Sequence, residues 1–84
     1  MKFLAVSQNV ADPMPFLDQE MSRMAQLTAD GLVEQLFLKS DRSGVVLIVE
    51  APDLSAADLG LSTLPLVLNN VTKFELTALT EPTA

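Results

Sequence analysis

The side chains available for chemistry in this 84-residue chain are carboxylates, amides, hydroxyls and a few cations. The sequence contains no histidine, cysteine, tryptophan or tyrosine. Imidazole acid–base catalysis, thiolate nucleophiles and the usual zinc and haem ligands are therefore excluded. A metal would have to be held by carboxylates and carbonyls, which suits Mg²⁺ or Ca²⁺, but no Asp/Glu spacing resembles a binding loop. No S-x-x-K or G-x-S-x-G motif is present to activate a serine. The three glycines are dispersed and build no phosphate cradle. We expect neither a metal nor another cofactor. Carboxylate proton transfer remains. A carboxyl group in an apolar cavity is pushed toward neutrality, which suits moving a proton beside a carbonyl. Glu50 and Glu75 are the candidates for acid or base. Ser7, Gln35 and Thr77 are the candidates for hydrogen-bonding a substrate oxygen. Each also has a structural reading. Glu50 can be a charged gatekeeper at a strand end, Glu75 and Thr77 can sit at a solvated rim, and Gln35 can bond across a subunit interface.

These residues fall on or beside segments that read as strands. The most apolar is Gly44 to Glu50, where Val45, Leu47 and Val49 share one face and Val46 and Ile48 the other. A strand apolar on both faces must be covered on both. Lys2 to Gln8 has the same character, with Leu4 and Val6 on one side and Phe3 and Ala5 on the other. Asp12 with Pro13 marks a helix start. The following helix carries Leu17, Met21, Met24 and Thr28 in a stripe, with Met14 and Leu27 at its edges, and Gly31 closes it. Leu32 to Leu38 is the second strand, joined to the third by the turn Lys39 to Ser43. A shorter helix starts at Asp53 or Ser55 and ends at Leu64-Pro65, buried through Leu54, Leu61 and Ala57 or Leu64. Leu66 to Asn70 reads as a connection, Thr72 to Leu79 as the last strand, and Thr80 to Ala84 as a frayed tail.

The predicted order is βαββαβ, an α+β ferredoxin-like domain over residues 1–84. It has a four-stranded antiparallel sheet with both helices on one face. Parity is expected to place Leu4, Leu36, Leu47 and Leu76 under the helices. The opposite face would then carry Phe3, Ala5, Phe37, Val46 and Ile48, together with all five candidate site residues. Two helices can cover only one face. With 49% hydrophobic residues in so short a chain, a second copy packed face to face is expected to cover the other. The partner is therefore another copy of the chain, as a homodimer or a higher homo-oligomer.

Net charge is −6, from eleven acidic and five basic residues. Such a balance argues against nucleic acid and against anionic membrane surfaces. The apolar runs are too short for a bilayer span, and Met1 to Val6 is too short for a signal-peptide core. A soluble, cytoplasmic protein is expected.

With the elements placed, the chain resembles the dimeric α+β barrel superfamily, and within it the muconolactone isomerase-like proteins. The matching stretches are Lys2 to Ser7, Asp30-Gly31-Leu32-Val33, Gly44 to Ala51, Leu64-Pro65-Leu66-Val67 and Phe74-Glu75-Leu76. They specify a fold and carry no catalytic signature. The resemblance implies two sheets packed into a barrel and a range of activities, from lactone isomerases and polyketide cyclases to small monooxygenases. The absence of histidine departs from the haem-degrading members.

Three functions follow as expectations. The first is a cofactor-free isomerase or cyclase acting on a small apolar carbonyl compound such as a lactone or polyketide-like intermediate, with Glu50 or Glu75 moving the proton. The second is a non-catalytic dimer that binds a small apolar ligand or a protein. The third is a cofactor-free monooxygenase, which has the weakest support because no histidine, tryptophan or tyrosine is available to activate or orient a substrate.

Overall fold

The computed structural model describes residues 1–82. Its order is β1 (Lys2–Asn9), a 3-10 turn (Met14–Phe16), α1 (Leu17–Ala29), β2 (Val33–Leu38), β3 (Val45–Glu50), α2 (Leu54–Leu61), α3 (Pro65–Leu68) and β4 (Thr72–Leu79). The four strands form one sheet in the order β2-β3-β1-β4, with every neighbouring pair antiparallel. This small α+β architecture is compatible with a ferredoxin-like arrangement. Of the expected frayed tail, residues 83 and 84 lie outside the described residues. No described helix is long and apolar enough to cross a membrane.

Local chemistry explains most element boundaries. Asp12 accepts from the Met14 amide at 3.0 Å, but it stands one residue before Pro13, the N-cap of the 3-10 turn, and does not cap the helix itself. The regular helix starts at Leu17, later than the sequence suggests. Pro13 and Pro15 have no amide to donate, and Pro15 disfavours helical geometry at Met14. α1 ends in a Schellman cap, as Gly31 at φ 86° donates to the Thr28 carbonyl and Leu32 to the Leu27 carbonyl. For α2, Asp53 is the N-cap, its carboxylate accepting from the Ala56 amide at 2.8 Å. The stretch after Leu64 is a single helical turn, α3, and not the expected plain connection. Pro65 opens it at the first position, where a missing amide costs nothing.

The core lies in one layer between the helices and the sheet. Phe3, Ala5, Val33, Leu47 and Val49 of the sheet meet Met24 and Leu27 of α1, Ala57 and Leu61 of α2, and Leu64. Fully burying a side chain such as Phe3 or Leu47 stabilises the fold by about 1.5–3 kcal/mol. In α1 the buried positions are Glu20, Met24 and Leu27, whereas Met21, expected in the stripe, is exposed. In α2 the inward side is Ala57 and Leu61, and Leu54 is exposed.

One face assignment is corrected. Phe3 lies opposite Val49 and Ala5 opposite Leu47, so Phe3, Ala5 and Ser7 face the helices while Leu4 and Val6 face away. The expectation was the reverse. A strand apolar at both parities gives hydrophobicity nothing with which to choose, and a shift of one residue moves every side chain to the other face. Leu36, Leu47 and Leu76 do share the helix side with Phe3 and Ala5, and Phe37, Val46 and Ile48 are on the other side.

Candidate functional site

The face of the sheet away from the helices is uncovered by any described residue. The strand registers set its side chains in rows running β2, β3, β1, β4. One row is Phe37, Val46, Val6, Glu75, and the next is Gln35, Ile48, Leu4, Thr77. Beyond the second row lie Glu50, Lys2 and Leu79. Leu4, Val6, Val46 and Ile48 form a half-buried apolar centre. Phe37 extends that centre toward the β2 edge and is 55% exposed.

Four of the five candidate polar residues surround this centre: Gln35, Glu50, Glu75 and Thr77. Ser7 is not among them. It is 2% exposed on the helix side. Its Oγ accepts from the Val45 amide at 2.8 Å, where β1 and β3 separate. A Cβ on Gly44 would collide with the Ser7 carbonyl oxygen, so a glycine is needed where the two strands come this close. Ser7 therefore completes a strand end, because its side chain supplies the acceptor that the ladder lacks there.

The two carboxylates differ in their surroundings. Glu50 is held at the end of the sheet, 3.3 Å from the Met1 amino group and 3.9 Å from Lys2 Nζ. Lys2 also pairs with Glu34, and that hydrogen bond raises the lysine pKa above its ordinary value, with desolvation opposing it. These contacts are solvent-exposed and screened, so they add little to stability. Among the described residues Glu75 has no hydrogen-bond or ion-pair partner for its carboxylate. It stands beside Val6 on one side and is open at the β4 edge on the other. Four residues along a strand and two strands across separate the two groups by roughly 16 Å on sheet spacings. They cannot act together on one small molecule within a protomer. Thr77 is the near neighbour of Glu75, two residues on and on the same face, whereas Gln35 lies at the far edge of the sheet.

A third carboxylate lies outside the residues that the sequence singles out. Glu20 is 9% exposed in α1, and its Oε1 accepts from the Leu66 amide at 2.9 Å. It thus caps the first turn of α3 from a different helix. Burial pushes its pKa up, and the hydrogen bond from Leu66 opposes this in part. Its spacing to Met24 and Leu27 is the signal that could have revealed it, since the three positions follow one helical face.

No group of three or more potential metal-ligating side chains occurs among the described residues. No known protein family matches the sequence, and neither does any curated protein.

Proposed function

We propose that the protein is a homodimer that joins two open sheet faces around a small, largely apolar carbonyl compound and isomerises or cyclises it without a cofactor. The observation that carries this reading is the uncovered apolar centre of Leu4, Val6, Val46 and Ile48 with an unpaired carboxylate, Glu75, at its border. Closing a second sheet over that face would remove water from around Glu75. A carboxylate shielded from water beside a substrate carbonyl is the arrangement that general acid–base proton transfer needs. Thr77, on the same face two residues further along β4, would hydrogen-bond the carbonyl oxygen on which charge develops. Glu50, occupied by Lys2 and the amino terminus, takes no part in proton transfer.

The strand order and the single helix layer support a ferredoxin-like domain. The open face supports its assembly as a dimeric α+β barrel of the muconolactone isomerase-like kind. The test is turnover on a panel of enol-lactones and aromatic polyketides. Glu75→Gln is expected to lose about 100-fold or more in kcat while the dimer persists. Full activity in that variant would remove Glu75 from the mechanism.

A second reading is favoured by the Glu50 ion pairs, which leave only one free carboxylate on the face. In it the dimer binds the same class of ligand without converting it. Saturable binding with no product, in wild type and Glu75→Gln alike, would select it.

A further inference from the structure

The two edges of the sheet are not alike. β4 carries the exposed charges Lys73 and Glu75, which discourage pairing with a further strand. β2 ends in Leu36, Phe37 and Leu38, which are 47%, 55% and 62% exposed. Those three residues include no charge, proline or bulge. The irregularity in β2 lies before them, between Val33 and Gln35. The Lys39 amide donates to the Gly44 carbonyl. Alternation along the ladder therefore turns the amides and carbonyls of Phe37 and Gln35 toward β3, and those of Leu36 and Leu38 outward. No described strand pairs with β2 on that outer side.

This segment is its own complement. Laid antiparallel to a second copy and centred on Phe37, each Leu36 falls opposite the other copy's Leu38. Both are positions with outward backbone groups, so each such pair exchanges both of its hydrogen bonds. Phe37 falls opposite Phe37 in a non-bonded pair, where side chains stand closest and aromatic rings gain most. Gln35 falls opposite Lys39 and Glu34 opposite Ser40, so no like charges meet. Centring on Leu36 would set Leu38 against Glu34 in the bulge, and centring on Leu38 would set Phe37 against Lys39. We infer that β2 is a self-association edge, through which two copies pair antiparallel about Phe37 into one continuous sheet. A second copy fits because backbone phase and side chains match at the same register. The contact is isologous and two-fold. It leaves both open faces free, on the same side of the joined sheet, and so adds to the face-to-face dimer without depending on it. So short a contact belongs with the weak interfaces below about 1,200 Å². It forms at concentrations well above the micromolar range of the face-to-face dimer.

The chain has no cysteine, so single introduced thiols report the register. Leu36→Cys and Leu38→Cys, both at exposed positions, are oxidised at about 0.5 mM, each alone and the two mixed. Opposed Cα atoms in a hydrogen-bonded pair are about 5.5 Å apart, within disulfide reach, whereas each position lies roughly 8–9 Å from its own copy. The mixture is expected to form the mixed disulfide about tenfold or more faster than either variant forms its own. Both thiols lie on the helix side, where face-to-face packing does not bring them together. In the unmodified chain, deuterium exchange at the Leu36 and Leu38 amides should slow several-fold between about 20 μM and about 0.5 mM, and more than at Phe37, which already bonds to β3. Mixed disulfide no faster than the single-variant rates overturns the self-pairing, as does exchange independent of concentration. Equal protection by a peptide of scrambled β2 sequence also overturns it, and makes the edge a general acceptor of extended strands. A chain that is monomeric at micromolar concentration yet forms the mixed disulfide at about 0.5 mM supports the edge and removes only the face-to-face dimer.

Discussion

Glu20 is a buried carboxyl group with a single hydrogen bond, and its effect on stability has a definite sign. Its folded-state pKa is raised, so between the unfolded and folded values the native state binds more protons than the unfolded chain. Stability from this group is then full at pH below the ordinary glutamate range and declines as pH rises through the folded value. Glu20→Gln keeps an acceptor for the Leu66 amide and removes the charge. Urea unfolding from pH 4 to pH 8 should show a flatter profile for this variant than for wild type. Glu20→Ala instead orphans the Leu66 amide and should cost about 1–3 kcal/mol at acid pH, where the wild-type side chain is neutral. Ser7→Ala similarly removes the acceptor for Val45 and should cost about 1 kcal/mol. Because Ser7 lies on the helix side, that change should leave ligand binding at the open face untouched, which isothermal titration with a substrate analogue checks.

The elements depend on a few backbone positions. Gly31 is in the left-handed region, and a Cβ placed there would have no atom within 4 Å. Gly31→Ala therefore meets no clash and measures backbone strain alone. A loss of about 1 kcal/mol in urea denaturation is expected. Caps, turns and strand parities of this kind are largely legible in the sequence. Gly31 and Asp53 act as their residue types suggest, and β4 falls where its alternation puts it, whereas in the Lys39–Ser43 turn the left-handed position falls to Arg42 at φ 64°. What is not legible is set by tertiary contacts. The parity of β1 follows from its register against β3, since Leu4 and Val6 are as apolar as Phe3 and Ala5. Of the candidate site, Gln35, Glu50, Glu75 and Thr77 lie on the expected face away from the helices, as the parity of their own strands predicts. Ser7 goes to the helix side with the rest of its β1 parity. Glu20 escapes notice because a glutamate early in a helix reads as a solvated partner of the dipole.

At the scale of the whole molecule, the uncovered sheet face dominates. Two faces packed together would bury Leu4, Val6, Val46, Ile48 and Phe37 against their copies. The chain should sediment as a dimer at micromolar concentration, and its unfolding midpoint should rise with protein concentration by mass action. Val46→Lys places a charge in the centre of that face without touching the core between sheet and helices. It should yield a folded monomer, read by sedimentation together with circular dichroism. A wild-type chain that is monomeric and fully folded at these concentrations would remove the basis for a two-copy site.

The pairing of β1 with β4 also bears on how the protein is made. These are the first and last strands in sequence and neighbours in the sheet. A ribosome that has released β1, α1, β2 and β3 has exposed a three-stranded sheet with β1 as an open edge, and it must still deliver α2, α3 and β4 before that edge is closed. During this interval the nascent chain offers an unpaired apolar strand to any neighbouring polysome product. Until β4 pairs with it, β1 is the edge through which newly made copies of this chain would associate wrongly.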